Sequence, residues 1–368
     1  MSAGSNELRR GWEAIDGAAA LVGASSLALL VATGEERLEF LHGQTSNDVR
    51  GLLPGAGCAA LSLTPQGRPL AIFSLYNDAE HERVLIATTT QERAAVRAAL
   101  ERFLVADDCE VEEAPELTAW TLAGPQAPAV LERAGIAGVR DDASATNERA
   151  GATAGADASA AASTAAAAWR LHRGRIGERE VLVLQRGDLR VPAFDILAAD
   201  AQLQTTYADP VAAALREAGA VDADAQALEV VRVESGTARY GTDVDESRIA
   251  IEARLEWAIH FGKGCYVGQE VIERAVSRGR IQHMLALLAG QGLTAGAQVV
   301  GGGERDVATS VVDSPRLGRI ALAYLPAGQA DAGGEVQLRS DAGTHVATVL
   351  PWPRARVLAG RDGRKDRP

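Results

Sequence analysis

The chain has 368 residues, 47% hydrophobic and 23% charged, a balance that lets most of it bury a core and argues against global disorder, while the length points to two or three domains. Lys and Arg number 37 against 49 Asp and Glu, a formal net charge of −12, so the overall field repels phosphate backbones and direct nucleic-acid binding is not expected. Cys58, Cys109 and Cys265 form no CxxC pair; they make neither a disulfide framework nor a four-thiolate cluster site in one chain, which points to a reducing, cytoplasmic setting.

The amino end, MSAGSNELRRGWEAIDGAAALVG, has no apolar segment followed by a cleavage site. No apolar run approaches the roughly 20 residues of a membrane span. A soluble, unexported protein without membrane attachment is expected. Ser26 to Ala32 reads as a strand, and Thr33 with Glu36 three residues later forms a capping box opening a short helix through Phe40 and Leu41. Cys58 to Leu63 and Leu70 to Tyr76 flank the turn TPQGR and read as a hairpin. Val84 to Thr88 is a further strand, and Gln91 to Leu104 a helix with Val96, Leu100, Phe103 and Leu104 on its apolar side.

Residues 141–168 are nearly all Ala, Ser, Thr, Gly and Asp. They offer little to bury against their ordering entropy and read as a flexible insertion, the alternative being an Ala-rich helix. Trp169 to His172 and Glu180 to Gln185 then read as strands, Tyr207 to Ala218 as a helix ended by Gly219, and Ala223 to about Glu234 as another. In the last third, His283 to Ala289, Ala297 to Val300, Val307 to Val312, Arg319 to Tyr324, Glu335 to Leu338 and His345 to Leu350 are short apolar runs punctuated by Gly, Pro and Asp, the pattern of a small antiparallel barrel. Helices and strands in this mixture give an α+β fold class.

Three constellations carry candidate chemistry. The densest is Gly262 to Arg274, GKGCYVGQEVIER. With a helix from Val267 onward, Cys265 stands at or just before its amino end, where the dipole and Lys263 favour a reactive thiol; the alternative is a small buried hydrophobe. Gln269 and Glu270 point about 100° apart on a helix, so one caps backbone amides while the other faces a site, unless Glu270 simply pairs with Arg274 at i,i+4. In Arg232 to Asp243, RVESGTARYGTD, a helix ending at Gly236 leaves Glu234 on the last turn against the dipole. That marks a functional residue or one paired with Arg232 or Arg239, with Tyr240, Gly241 and Asp243 forming a turn. In Phe40 to Val49, FLHGQTSNDV, Gln44, Thr45, Ser46, Asn47 and Asp48 are turn and cap formers, and Thr45 or Ser46 reads as a helix cap. The six histidines show no HxxxH or HExxH spacing, so no metal centre is expected.

KGCYVGQE at Lys263 to Glu270, RVESGTARYGTD, FLHGQTSNDV and TSVVDSPRLGRIALAYLP together resemble the YgfZ-type folate-binding proteins, a family similar in fold to the T-protein (aminomethyltransferase) of the glycine cleavage system. The resemblance implies a three-domain, cloverleaf-like arrangement around a central opening that takes tetrahydrofolate or a one-carbon-substituted folate. Its parts would be two interleaved α+β domains over 1–140 and 169–280, a barrel over 281–353 and a basic tail over 354–368. It implies a monomeric accessory protein that works with iron–sulfur proteins or cluster assembly factors and so affects cluster enzymes, including tRNA-modifying ones. Lys263 and Cys265 would be the functional pair, with Cys265 the thiol. Arg232, Glu234, Tyr240, Tyr266, Gln269, Glu270, Gln44 and Asn47 would line the folate. Glu234 would face the pterin, whose parallel N–H donors a carboxylate can accept bidentately. T-proteins carry an aspartate in the first domain's hairpin; the corresponding turn here is TPQGRP, without a carboxylate, which tells against aminomethyl transfer.

Overall fold

The computed structural model describes residues 3–23, 26–115, 117–139, 168–198, 209–278, 281–330 and 332–353. The insertion 141–168, apart from Ala168, the tail 354–368 and the helix start expected at Tyr207 lie outside them.

The elements run α1 (Ala3–Gly17), β1 (Ala20–Val22), β2 (Leu27–Thr33), α2 (Arg37–Gln44), β3 (Gly57–Leu63), β4 (Pro69–Asp78), β5 (Arg83–Thr89), α3 (Arg93–Glu101), β6 (Glu110–Glu113), β7 (Thr118–Ala123) and α4 (Ala127–Arg133). They continue as β8 (Arg170–Ile176), β9 (Arg179–Arg186), β10 (Ala193–Ala198), α5 (Pro210–Glu217), β11 (Val221–Ala223), α6 (Ala225–Glu234) and α7 (Gln269–Arg278). Six strands close the chain: β12 (His283–Ala289), β13 (Gln298–Val299), β14 (Ala308–Ser314), β15 (Gly318–Pro326), β16 (Glu335–Ser340) and β17 (Gly343–Leu350).

Three sheets result, an α+β architecture. The first has the order β11-β1-β7-β10-β9-β8, with β1 parallel to β11 and its other pairs antiparallel. The second, antiparallel β3-β4-β5-β2-β6, falls wholly between β1 and β7 in the chain. The two are stitched where Leu171 N donates to Gly55 O at 2.8 Å and Gly57 N to Trp169 O at 2.9 Å. The third is antiparallel, β13-β16-β17-β12-β15-β14. Its outer strands meet only over a few residues, where Val299 N donates to Asp306 O at 2.8 Å and Ala308 N to Ala297 O at 2.9 Å. The sheet therefore curls toward closure without the complete barrel ladder that the strand spacing predicts.

Leu29 and Leu61 of the second sheet, Leu184 and Leu197 of the first, and Leu285 and Leu322 of the third belong to one buried cluster. Each such leucine contributes about 2 kcal/mol of burial, so the sheets meet around a shared core, with Tyr266 and Ile272 also in it. Trp169 lies between Tyr76 and Trp257, stacked on the latter at 6.3 Å and 4°.

Several boundaries differ from the sequence expectations for local reasons. Thr33 caps no helix: it pairs with Glu110 as the last residue of β2, and Glu36 instead accepts Asp108 N at 2.7 Å. Asp209 and Asp224 cap α5 and α6 by accepting Val211 N at 2.8 Å and Ala227 N at 2.7 Å, which trims both helices at their starts. Helix α7 begins at Gln269 rather than Val267, because Gly268 has φ +86°. Helix α1 and strands β7 and β10 were outside the expectations. The two strands are buried at every position and so lack the alternation of a half-exposed strand.

Candidate functional site

The turn that ends α2 and the segment 256–266 are laced together. Thr45 Oγ1 donates to Leu41 O at 2.8 Å, closing α2 at its carboxyl end. Ser46 caps nothing; its Oγ donates to Ala258 O at 2.6 Å and accepts Leu61 N at 2.9 Å. Asn47 is used in the same way, with Nδ2 on Ala59 O at 2.7 Å and Oδ1 accepting Asp48 N at 2.8 Å.

Lys263 enters this turn from the other side. It is 8% exposed, and its Nζ donates to His42 O, to Thr45 O at 2.6 Å and to Asn47 O at 3.1 Å. An ammonium has three donors, and all three are committed. The ring of Tyr266 lies 5.1 Å from Nζ. Burial lowers the lysine to about 8. Cys265, by contrast, is exposed, and α7 starts four residues later. Lys263 is buried and Cys265 exposed, and the thiol-bearing residue precedes the start of α7 by four residues rather than standing at its first turn.

Among the sequence-predicted residues, two carry buried polar atoms without a hydrogen-bond partner: Tyr266 Oη and Gln44 Oε1, joined by His42 Nε2. Burial raises the Tyr266 phenol, so it stays a neutral donor and acceptor. Thr45, next to Gln44, shares the Lys263 ammonium whose other neighbour is the Tyr266 ring. Gln44 is thus tied to the Lys263 ammonium through the next residue in the chain, and Tyr266 through its ring.

Arg232 and Glu234 stand elsewhere. Arg232 commits all five N–H donors: Nε and Nη2 to Glu229 at 2.9 and 2.7 Å, Nη1 to Asp243 Oδ2 at 2.7 Å and to Thr237 O, and Nη2 also to Ser310 Oγ at 2.7 Å. Glu234 is 1% exposed. Its Oε1 accepts Trp12 Nε1 at 3.1 Å and the Ser314 hydroxyl, and its Oε2 accepts Arg190 Nε at 2.9 Å. The arginine partner is therefore Arg190, backed by Arg316 at 3.5 Å, and not Arg232 or Arg239. Trp12, Arg190 and Ser314 were missed from sequence because nothing local links them to Glu234.

Glu270 stands exposed on α7 and pairs with Arg274, the plain i,i+4 alternative. Gln269 and Tyr240 are half-buried; Tyr240 bridges to Val244, forming the expected turn. Among the described residues no three His, Cys, Asp or Glu side chains gather as a metal-holding group, and no helix is long and apolar enough to cross a membrane.

The TPQGR turn lies against the start of α7. Gly67 O accepts Ala250 N at 3.0 Å and Arg68 Nη1 donates to Glu246 O at 3.0 Å. A Cβ on Gly67 would meet Ile272 and Val271 at 3.2 and 3.3 Å, and one on Gly268 would meet Thr64 O at 2.5 Å. The hairpin turn and the KGCYVGQE segment thus share one surface, and the turn itself is made of Thr, Pro, Gln, Gly and Arg, without a carboxylate.

A family model described as the GCVT N-terminal domain matches residues 5–263. The chain is 28% identical over 348 residues to an aminomethyltransferase of Rubrobacter xylanophilus, covering 93% of this chain and 84% of that one. It is also 28% identical over 340 residues to an aminomethyltransferase of Nitrosococcus oceani, covering 90% and 82%. Its fold is similar to the crystal structure of the glycine cleavage system aminomethyltransferase T from Bartonella henselae, with a TM-score of 0.72 at 20% identity over 94% of this chain and 89% of that one.

Proposed function

Because the chain belongs to the GCVT N-terminal domain family, we propose that it is a cytoplasmic, monomeric folate-binding protein. It takes tetrahydrofolate or a one-carbon-substituted folate, and it supports iron–sulfur cluster assembly or repair, and through it tRNA-modifying and other cluster enzymes, rather than transferring aminomethyl groups. The observation that carries this reading is the TPQGR turn, packed on the KGCYVGQE segment through Gly67 and Gly268 and holding no carboxylate. A proton-transfer or charge-stabilising step needs its group within hydrogen-bond reach of the reacting centre.

The polar atoms left open fit a folate. Gln44 Oε1 is an acceptor for pterin amino or ring N–H groups, and Tyr266 Oη is a donor or acceptor for the same edge. Glu234 and Arg232 fit less well, since their lone pairs and protons are already engaged. Gln269, Tyr240 and Asn47 remain candidates for the rim. Bound folate supplies a carrier for a one-carbon unit. The exposed Cys265 is the thiol through which the protein acts on a client.

Titration with tetrahydrofolate, followed by the fluorescence of the five tryptophans, is expected to saturate and to weaken in Gln44→Ala and Tyr266→Phe. Binding indifferent to both substitutions counts against this pocket. Cys265→Ser is expected to lose rescue of cluster-enzyme activity in a deletion strain while keeping its melting temperature; full rescue removes the thiol role. The second reading, a T-protein-type aminomethyltransferase, is favoured by the length over which the named transferases match. Formation of methylene-tetrahydrofolate from an aminomethyl donor would establish it.

A further inference from the structure

The His42 to Asn47 turn bends its carbonyls onto one point. His42 O is in the last turn of α2, where carbonyls lack intrahelical partners; Thr45 O is at the cap, and Asn47 O lies two residues on. Three carbonyl oxygens aimed at one centre are a cation's coordination shell, and the partial negative charge at a helix carboxyl end adds to the attraction. The cation here is the Lys263 ammonium. A compact point charge with three rotatable donors suits this shell, which a planar guanidinium does not. No carboxylate lies within ion-pair distance of Nζ among the described residues; Asp48 is instead held at 3.0 Å by His42 Nδ1.

We propose that Lys263 is the positioning residue of the folate opening: its ammonium is the internal cation around which the 42–47 turn is wound, and this sets Gln44 against the Cys265–Tyr266 segment as one wall. The inference rests on the folate reading for its ligand but not for its geometry. Lys263 touches no reacting atom in this role. It acts through Gln44 and Tyr266, one residue from the Thr45 carbonyl and 5.1 Å from Nζ respectively. The same turn covers β3, since Ser46 Oγ accepts Leu61 N and Asn47 Nδ2 reaches Ala59 O. Cys58, 4% exposed, is the neighbouring β3 residue. It packs in one cluster with Phe40 and Leu41 of α2 and Val49 just past the turn, and burial pushes its thiol up to about 12, so alkylation there requires the packing on either side of the turn to open.

The test uses the full chain with Lys263→Ala, and Lys263→Gln as a variant that keeps two N–H donors without charge. Tetrahydrofolate binding is titrated in ammonium chloride and in tetramethylammonium chloride. Cys58 and Cys109 are followed by iodoacetamide labelling and mass spectrometry. Lys263→Ala is expected to weaken binding by about tenfold or more and to expose Cys58 while Cys109, 5% exposed, stays protected. Ammonium, but not tetramethylammonium, is expected to restore both, with Lys263→Gln intermediate. Wild-type binding with Cys58 protected in the alanine variant overturns the proposal, as does loss that ammonium does not rescue in either variant. If the unaltered protein shows no saturable binding, the folate reading falls and Cys58 protection with its ammonium rescue alone decides the role of Lys263.

Discussion

Gly67 and Gly268 meet without side chains: a Cβ added to Gly268 would lie 3.2 Å from Gly67 Cα and 2.5 Å from Thr64 O. Two segments some 200 positions apart are joined at this contact, the TPQGR hairpin and the KGCYVGQE stretch. It makes the carboxylate-free turn part of the candidate site.

Gly268→Ala is expected to be costly on two counts. Its φ of +86° costs an L-residue about 1–2 kcal/mol, and the collision with Thr64 O adds about 1–3 kcal/mol of overpacking. Gly264→Ala, with nothing within 4 Å of its Cβ, is expected to change stability by less than about 0.5 kcal/mol. Thermal melts of the two variants compare them directly, and equal melting temperatures would contradict the contact.

Glu234 joins α1, the segment after β9, and β14. Glu234→Ala leaves the half-buried Arg190, over Trp12, with Asp16 at 2.7 Å as its remaining counter-charge, a loss of about 1–3 kcal/mol, below that of a fully uncompensated buried charge. Arg190→Met is expected to lose a similar amount and the double variant less than the sum. At a temperature where Glu234→Ala is folded, its tetrahydrofolate affinity is expected to match the unaltered protein; a selective loss of affinity would return Glu234 to the pterin.

Lys263 is lowered by burial from 10.5 to about 8. Between those values the unfolded chain holds a proton that the folded chain does not, so this group's contribution to stability rises with pH across that window. The charged and titratable neighbours Asp48, Cys58, Arg50, Glu39 and His42 are common to the protein and to Lys263→Met. The difference in melting temperature between the two is therefore expected to shift in favour of the lysine protein from pH 8 to 10. A flat difference would show that the three carbonyls offset the burial cost and keep the folded-state ammonium protonated across this window.

Asp306 fastens the third sheet to the 243–255 segment. It is fully buried, accepts Arg248 Nη2 at 3.0 Å and Gly303 N at 2.7 Å, and pairs with His283 at 2.9 Å. Arg248 also lies 4.2 Å from the Tyr324 ring centroid. Asp306→Ala is expected to destabilise by about 3–5 kcal/mol and to raise proteolysis of the carboxyl-terminal third before the rest. Unchanged cleavage would show that the apolar contacts of Leu285 and Leu322 hold that sheet unaided.

Much of the architecture was legible from short-range pattern. The β3–β4 hairpin, the helix ended by Gly219, the turn at Tyr240 and the six carboxyl-terminal strands follow from residue spacing and turn chemistry within a few positions, and His283 to Ala289 is a strand with the bounds its sequence suggests. Buried strands such as β7 and β10 escaped because a segment covered on both faces has no alternation to read.

The KGCYVGQE residues were visible in the sequence, as were the absence of a carboxylate from the TPQGR turn and the mismatch of Glu234 with its helix end. Their roles were not, since a charged side chain's role depends on which distant groups reach it. Trp12 lies 222 positions from Glu234, and His42 lies 221 from Lys263. Only the packing of the three sheets determined that Glu234 meets Arg190 and Ser314, that Lys263 is spent on three carbonyls, and that Gln44 and Tyr266 are left with polar atoms to offer.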